Sequence, residues 1–541
     1  MSMILANEIG KRQKMQAKAV TMKTSSTKKK PSISRREKMM AMMKTNTINP
    51  PLPTSLDYLL ASQAIHGINH AGLGPLPGRG CGGEEARKHA SLAEEQASDA
   101  DAYSGTTCTL NQLSYEEIPY QNDVEAMTHD EKLTSTILPV MGEGVLEFYC
   151  EPFFNWATSL FDSYFKFDIQ VIHEDNSDLA DNETVTIAPF ALNSLFKTVR
   201  LYMNNEQVTP ATHNTHGYES YVSASVHLSE QTKTFQLSLG LFLPDLEAGT
   251  ENISLFSSLP SDCNFIKRAK LIAKSRKLTL VGRLLSEMML VPRLLPMGAE
   301  LWISLYLAHP HHVLVGDKTK KYKIKISDAK FFMCRYKLTP EALARQTQLL
   351  NTRGLLYTFP RFETRIITLA TGLSNLQTEI CRGRTPDRIY FFMVDQDAVV
   401  EPAIDKNAYH FRPHNISHFQ LFVNGMAKPS LPYTIAYEMT TGTVHASQAY
   451  FLLRRELNLG NSNMSITLEQ FTNGGFVLAV DTSADHSAGL RQSYLSPMED
   501  GVITCDIKFA KALPQPLCLF FALEYVCALR YFSDKRARIT I

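Results

Sequence analysis

The sequence predicts two all-β sandwiches of similar plan, joined by one helix and preceded by a front end of different texture. Three observations lead there. Strand-like patterns separated by turn residues begin near Lys132 and persist to the C-terminus. One stretch alone carries a full set of helix signals. And two distant segments, VRLYMNNEQVTP (199–210) and FQLFVNGMAKP (419–429), have the same build: an alternating apolar run, then Asn-Asn or Asn-Gly, then a short polar piece ending in proline.

The front end comes first. At 541 residues the chain exceeds one ordinary domain and suits two of about 200 residues plus extra segments. Its net charge of +1 averages unlike parts. Residues 1–44 hold twelve Lys/Arg against two Glu, whereas 84–131 hold twelve Asp/Glu against only Arg87 and Lys88. Such charge blocks mark solvated segments rather than cores. Residues 1–50 therefore read as a flexible basic arm and 51–131 as a Gly-rich and acidic linker, with GLGPLPGRGCGG at 72–83.

The strands follow. In YFKFDIQV (164–171), Phe165, Phe167, Ile169 and Val171 fall on one face, and Lys166, Asp168 and Gln170 on the other. That period of two is expected of a half-buried strand. KYKIKIS (321–327), GFVLAVD (475–481) and ITCDIKF (503–509) repeat it. The helix begins at Thr339, a capping residue, with Pro340 at the first helical position and Glu341 beside the positive end of the dipole. It should end near Gly354 and connect a first domain over 132–338 to a second over 355–541. The echoing segments then read as strands meeting at two-residue turns, Asn204-Asn205 and Asn424-Gly425. Type I′ hairpins need positive φ at both turn positions, which Asn and Gly tolerate best.

Chemistry is sparse. There is no HExxH, GxSxG or GxxxxGK[ST], and no strand precedes the glycines of GRGCGG as a phosphate loop requires. His309, His311 and His312 cluster, and His410, His414 and His418 recur every four residues, but Pro413 and the strand-like HFQLFV argue against the helix that would align the second set. Asp178, Asp181 and Glu183 could hold calcium, though turn-forming acids explain them equally well. No catalytic, metal or cofactor residue is assigned, and the chain reads as a non-enzyme. The nine cysteines lie far apart without a CxxC pair, which fits a reducing compartment. No apolar run reaches the roughly 18 residues that span a bilayer, and no secretory signal opens the chain, so the expectation is a protein made soluble inside a cell.

Several blocks in chain order resemble the double jelly-roll major capsid proteins of Polinton or Maverick elements and adintoviruses. They are DLADNETVTIAPFALNSLFKTVRLYMNNEQVTP (178–210), KLTLVGRLLSEMMLVPRLLPMGAELWISL (277–305), YKIKISDAKFFMCRYKLTPEAL (322–343), YTFPRFETR (357–365), NISHFQLFVNGMAKP (415–429), NGGFVLAVDTSAD (473–485) and DGVITCDIKFAKALPQPLCLFFALEY (500–525). The resemblance spans about 135–541. It implies two tandem eight-stranded jelly rolls, three chains forming a pseudo-hexameric trimer, and an icosahedral shell around double-stranded DNA. Its implied partners are further copies of the chain, a penton-like minor capsid protein and a viral cysteine protease, and its implied place is the virion, assembled in the host cell with the nucleus a candidate compartment. Loops such as 429–450 would form the outer tower.

Two front-end motifs fit this picture. KKKPSISRR, with Lys28, Lys29, Lys30, Arg35 and Arg36, suits nuclear import or sequence-independent contact with genomic DNA. Leu76-Pro77-Gly78-Arg79-Gly80 matches the pattern (Met/Ile/Leu)-x-Gly-x-Gly cut by adenovirus-type maturation proteases, in an extended Gly-rich setting. The alternative reading is a domesticated pair of jelly rolls that binds glycan or nucleic acid without assembling a shell.

Overall fold

The computed structural model describes residues 129–540 apart from 143, 154–155, 210–213, 401, 439–443, 458–465, 484–485, 487 and 489–498. Alternation decides where its strands lie and which way they face. Phe165, Phe167, Ile169 and Val171 are all at or below 1% exposure inside one long strand, while Lys166 and Gln170 between them stay partly open to solvent. Asp168 is the exception on the outer side, buried but paired with Lys277 at 2.7 Å and Lys166 at 3.5 Å.

Eight strands build the first sandwich: β1 (His129–Ile137), β2 (Val145–Cys150), β3 (Ala157–His173), β4 (Phe196–Met203), β5 (Glu206–Gln207), β6 (Leu278–Gly282), β7 (Leu301–Leu307) and β8 (Tyr322–Leu338). They form two antiparallel sheets in the orders β1-β8-β3-β6 and β2-β7-β4-β5, the latter extended at its β2 edge by a short strand, Val140–Gly142. Eight more build the second: β9 (Leu355–Leu369), β10 (Asn375–Arg384), β11 (Arg388–Asp395), β12 (Ile416–Val423), β13 (Met426–Thr434), β14 (Leu478–Asp481), β15 (Asp500–Phe509) and β16 (Leu517–Tyr531). Their orders are β9-β16-β11-β14 and β10-β15-β12-β13, with a further short strand, Ala537–Thr540, also paired to β16. Adding eight to each label of the first sandwich reproduces the second. Apart from the hairpins β4–β5 and β12–β13, consecutive strands alternate between two facing sheets, which is the jelly-roll path.

Aromatic rings tie the sheets of each sandwich face to face. In the first, Phe165 lies 4.4 Å from Phe331 in its own sheet and 5.4 Å from Phe148 in the other. In the second, Phe391 lies 5.2 Å from Phe521 and 4.5 Å across the sandwich from Phe419. Offset and edge contacts of this kind add about 0.5–1.5 kcal/mol each beyond area burial.

The connector is a helix over Pro340–Thr352, begun where the Thr339 side chain accepts from the Ala342 N–H at 3.3 Å. It stops before Gly354, whose φ of 77° no β-branched residue would adopt readily and whose Cβ, if present, would lie 2.8 Å from the Tyr531 carbonyl oxygen. Three other helices pack on the sandwiches: α1 (His216–His227), with nine of its twelve residues buried; α2 (Asn264–Ile272), through Phe265, Arg268, Ala269 and Ile272; and α3 (Ser447–Glu456), through Ala449, Leu452, Leu453 and Glu456. α1 and α2 sit in the connection from β5 to β6, and α3 in the equivalent connection from β13 to β14. The expectation of a loop over 429–450 is corrected: its start belongs to β13, hydrogen-bonded to β12, and its end to α3. The seven described cysteines are unpaired thiols, and all but Cys381 are buried.

Candidate functional site

β16 contains the run LCLFFALEY, which does not alternate, and all nine residues from Leu517 to Tyr525 are buried, so both faces of the strand are under cover. A sheet reads this way when something packs on each side. One side is the second sandwich's own interior. The other is the first sandwich, through α1. Phe392 and Phe520, directly opposite in register on β11 and β16, stack at 4.8 Å and 13° on the outer face. Tyr218 of α1 covers them, 6.1 Å from Phe392 and 4.8 Å from Phe520. Tyr221, Tyr409 and Phe411 complete the patch at 5.5–5.6 Å. A single connected core therefore runs through both sandwiches.

Polar groups close the ends of this seam. His227, the last residue of α1, places Nε2 2.6 Å from the Tyr390 hydroxyl, which donates to Glu524 Oε2 at 2.7 Å and accepts from Arg388 at 3.2 Å. Burial, with Arg388 and Lys233 nearby, pushes the imidazole down to about 3, so it is neutral at physiological pH. Since the tyrosine proton points to Glu524, His227 carries its own proton on Nε2 and donates it.

At the other end, Arg268 of α2 is fully buried. It donates to the Ile187 carbonyl at 2.7 Å, to the Leu243 carbonyl, and to Asp245 Oδ2 at 2.6 Å. The same Asp245 oxygen accepts from Asn407 of the second sandwich at 2.8 Å. Backbone bonds run alongside: Ile253 N–H to the Asp405 carbonyl, Asn407 N–H to that of Glu251, and Gly316 N–H to that of Ile404, at 2.7–3.0 Å.

The echoed turns have matching geometry. Asn204 and Asn205 have φ of 49° and 67°, Asn424 and Gly425 of 51° and 81°. In each turn the first Asn also clamps the neighbouring strand: Asn204 Oδ1 accepts from Glu300 N–H at 2.8 Å and Asn424 Oδ1 from Val502 N–H at 2.9 Å. Only Asn204 reaches further, donating to the Tyr531 hydroxyl at 2.7 Å and the Lys535 carbonyl at 2.8 Å in the second sandwich. The turn type was visible in the sequence; the clamps depend on which strand lies alongside, and only the fold reveals that.

The remaining candidates disperse. His309 caps a one-turn helix and His311 bonds the Pro402 carbonyl at 2.8 Å, while burial pushes His312 down to about 4. His410 bonds Thr250 at 3.0 Å, His414 faces Asp395 at 3.5 Å and His418 faces Asp506 at 3.7 Å, three separate partners. Asp181 pairs with Lys274 and Glu183 with Lys320, which neutralises the would-be calcium ligands one by one. Among the described residues no group of three His, Cys, Asp or Glu is placed to hold a metal ion. Lys28, Lys29, Lys30, Arg35 and Arg36, and Leu76, Gly78, Arg79 and Gly80, lie outside the described residues.

No protein-family model and no curated protein matches the sequence. Solved structures do. A chain from the cryo-EM structure of the Sputnik virophage aligns with a TM-score of 0.54 at 10% identity, over 76% of this chain and 89% of that one. The mavirus major capsid protein gives 0.44 at 11% identity over 75% and 90%, and the Faustovirus major capsid protein 0.44 at 8% over 91% and 97%. At such identities the likeness is one of fold. Together with the two identical strand orders, the match to the virophage chain identifies this chain as a double jelly roll.

Proposed function

We propose that this chain is a major capsid subunit, and that three copies form a pseudo-hexameric tile which assembles into an icosahedral shell around a double-stranded DNA genome. One observation carries the proposal. Two sandwiches of identical strand order are fused through a buried seam, so a threefold assembly of this chain would present six similar bodies. A closed ring of such bodies packs in hexagonal arrays using one gene product. The fold shared with a virophage chain and the ordered sequence resemblance point the same way.

The same reading gives the front end its tasks: Lys28–Lys30, Arg35 and Arg36 would contact the packaged DNA or direct nuclear import, and a viral cysteine protease would cut at Leu76–Gly80. A penton-like minor capsid protein would close the fivefold positions. The chain's role is then structural and its place the virion. Light scattering on the purified protein tests it: three chains of 60.8 kDa give about 182 kDa, with near-hexagonal tiles under the electron microscope. A protein that stays monomeric at micromolar concentration overturns the proposal.

A further inference from the structure

The two jelly rolls differ in one respect. The second has the outer face of β9-β16-β11-β14 covered by the first, whereas no comparable cover lies on the outer face of β1-β8-β3-β6 among the described residues. Yet the strands that correspond, β3 and β8, carry the same device: Tyr164 and Phe332, opposite in register, stack at 4.9 Å and 17° on that outer face. Both rings are only half-buried, and Tyr336 beside them is too. Two residues further along, the face turns to charge, with Lys166, Asp168, Lys277, Asp328 and Lys330 in mutual ion pairs.

The covering element has a counterpart as well. α1 lies in the β5–β6 connection and α3 in the β13–β14 connection. α3 packs its apolar stripe on its own sandwich, but Phe451 on its opposite side is 65% exposed. Ser447, Gln448 and Arg455 share that exposed side. Among the described residues Phe451 thus stands on α3 as an apolar knob without a seat. Arg455 beside it is 48% exposed at the side chain though paired with Glu456 at 3.0 Å, and the exposed Asp162 near Tyr164 accepts from Ser159 and Tyr336 at 2.7–2.8 Å, so each partly neutralised group could gain a second partner of opposite charge across the contact.

We propose that the exposed side of α3 in one copy docks on the Tyr164–Phe332 pair of a second copy, with Phe451 over the rings. This reproduces between chains the contact that Tyr218 of α1 makes within one. It rests on the assembly reading above and names the surface that assembly uses. An apolar ring stranded at 65% exposure and a stacked aromatic pair without cover are complementary deficits, and the fold already contains the solved version of the same contact.

Two experiments decide it. Phe451→Asp should keep the circular-dichroism spectrum and thermal midpoint of the parent chain, because the ring contributes little to the monomer, and should weaken self-association by about thirtyfold or more, as loss of a central aromatic anchor does. Separately, chains carrying Phe451→Cys mixed with chains carrying Tyr164→Cys should give, on oxidation, a cross-linked pair containing one of each, which only contact between copies can produce. Unchanged trimers in F451D and no mixed cross-link overturn this docking while leaving the capsid reading intact. A parent chain that does not associate overturns both.

Discussion

Glu287 opens a single 3₁₀ turn, Glu287–Leu290, in the connection between β6 and β7, and it is pressed against the second jelly roll. Burial raises its carboxyl from the ordinary 4.5 to about 8; Arg361 pulls it back, while Glu219 of α1 and Glu363 of β9 push it further up. His216 and Cys527 are the other titratable neighbours, and Oε2 has no hydrogen-bond partner. The folded chain therefore holds a proton that the unfolded chain releases between pH 4.5 and about 8, so stability is complete below the window and falls as pH rises through it. The slope is about 1.4 kcal/mol per pH unit and the ceiling about 5 kcal/mol. Buried histidines act in the opposite sense: His216 and His414, held down to about 4 by burial, add stability as pH rises, but that gain is finished by 6.5. Between pH 6.5 and 8.5 Lys233, held down to about 8 by burial, also adds stability as pH rises, but equally in both chains, so the difference between parent and variant reports the carboxyl. Glu287→Gln keeps the shape and removes the proton, so urea denaturation at pH 6.5, 7.5 and 8.5 should show the parent losing about 2 kcal/mol relative to E287Q. If the two curves fall in parallel, the buried carboxyl is not the cause and the assignment of Glu287 to the closed seam is wrong.

Three further substitutions probe the same architecture. Tyr218→Ala should cost about 3–5 kcal/mol and split thermal unfolding into two transitions, whereas Tyr218→Phe should be neutral or slightly stabilising because the buried hydroxyl has no partner; calorimetry distinguishes them. Arg268→Met leaves Asp245 buried without its guanidinium and should cost about 3–5 kcal/mol in denaturant unfolding, with the double variant R268M/D245L recovering most of it. Asn424→Ala loses both the positive-φ tolerance of the turn and the clamp on Val502, about 1–2 kcal/mol by the same assay, with hydrogen exchange of the Val502 amide as the local readout.

The strands were legible because their physics is local. Side-chain direction flips at every residue, so KYKIKIS and ITCDIKF announce one wet and one dry face, and Asn-Asn or Asn-Gly between two such runs announces the turn. The run LCLFFALEY was equally informative, since a strand without alternation must be covered on both sides, although nothing in it says by what. The helices α1 and α3 were missed: α1 is buried on nearly every side, with Tyr218, Tyr221 and Val222 mixed among Ser and His, so it shows no clean apolar stripe, and the stripe of α3 is only ten residues long. The Arg268–Asp245–Asn407 link was out of reach altogether: its members come from two jelly rolls and only the packing brings them together. Of the histidines spaced by four, His410 and His414 are joined only indirectly, through Glu251, Arg412 and Asp395, and His418 turns to Asp506 once the strand at Ile416 breaks the helical register.

The duplication has a consequence for how a tile could form. In a ring of six jelly rolls from three chains, six seams alternate: three lie within chains and three between them. The inner three never dissociate, because the α1 seam and the connector helix hold the rolls at an effective concentration no free subunit reaches. Association then has to offset the lost translational and rotational freedom of three bodies rather than six, which is a large saving when each body costs several kcal/mol. On the assembly proposed above, the open face of β3 and β8 would suit the intermediate state as well. Its ion-paired half, Lys166 to Lys330, keeps the unassembled chain compatible with water, and its aromatic half remains available for a partner. A face that were apolar throughout would associate before the ring could close. One that were charged throughout would not associate at all. The split between the two halves is therefore what a subunit needs if it must stay soluble first and assemble afterwards, and it follows from a change of side-chain type over two residues of a single strand.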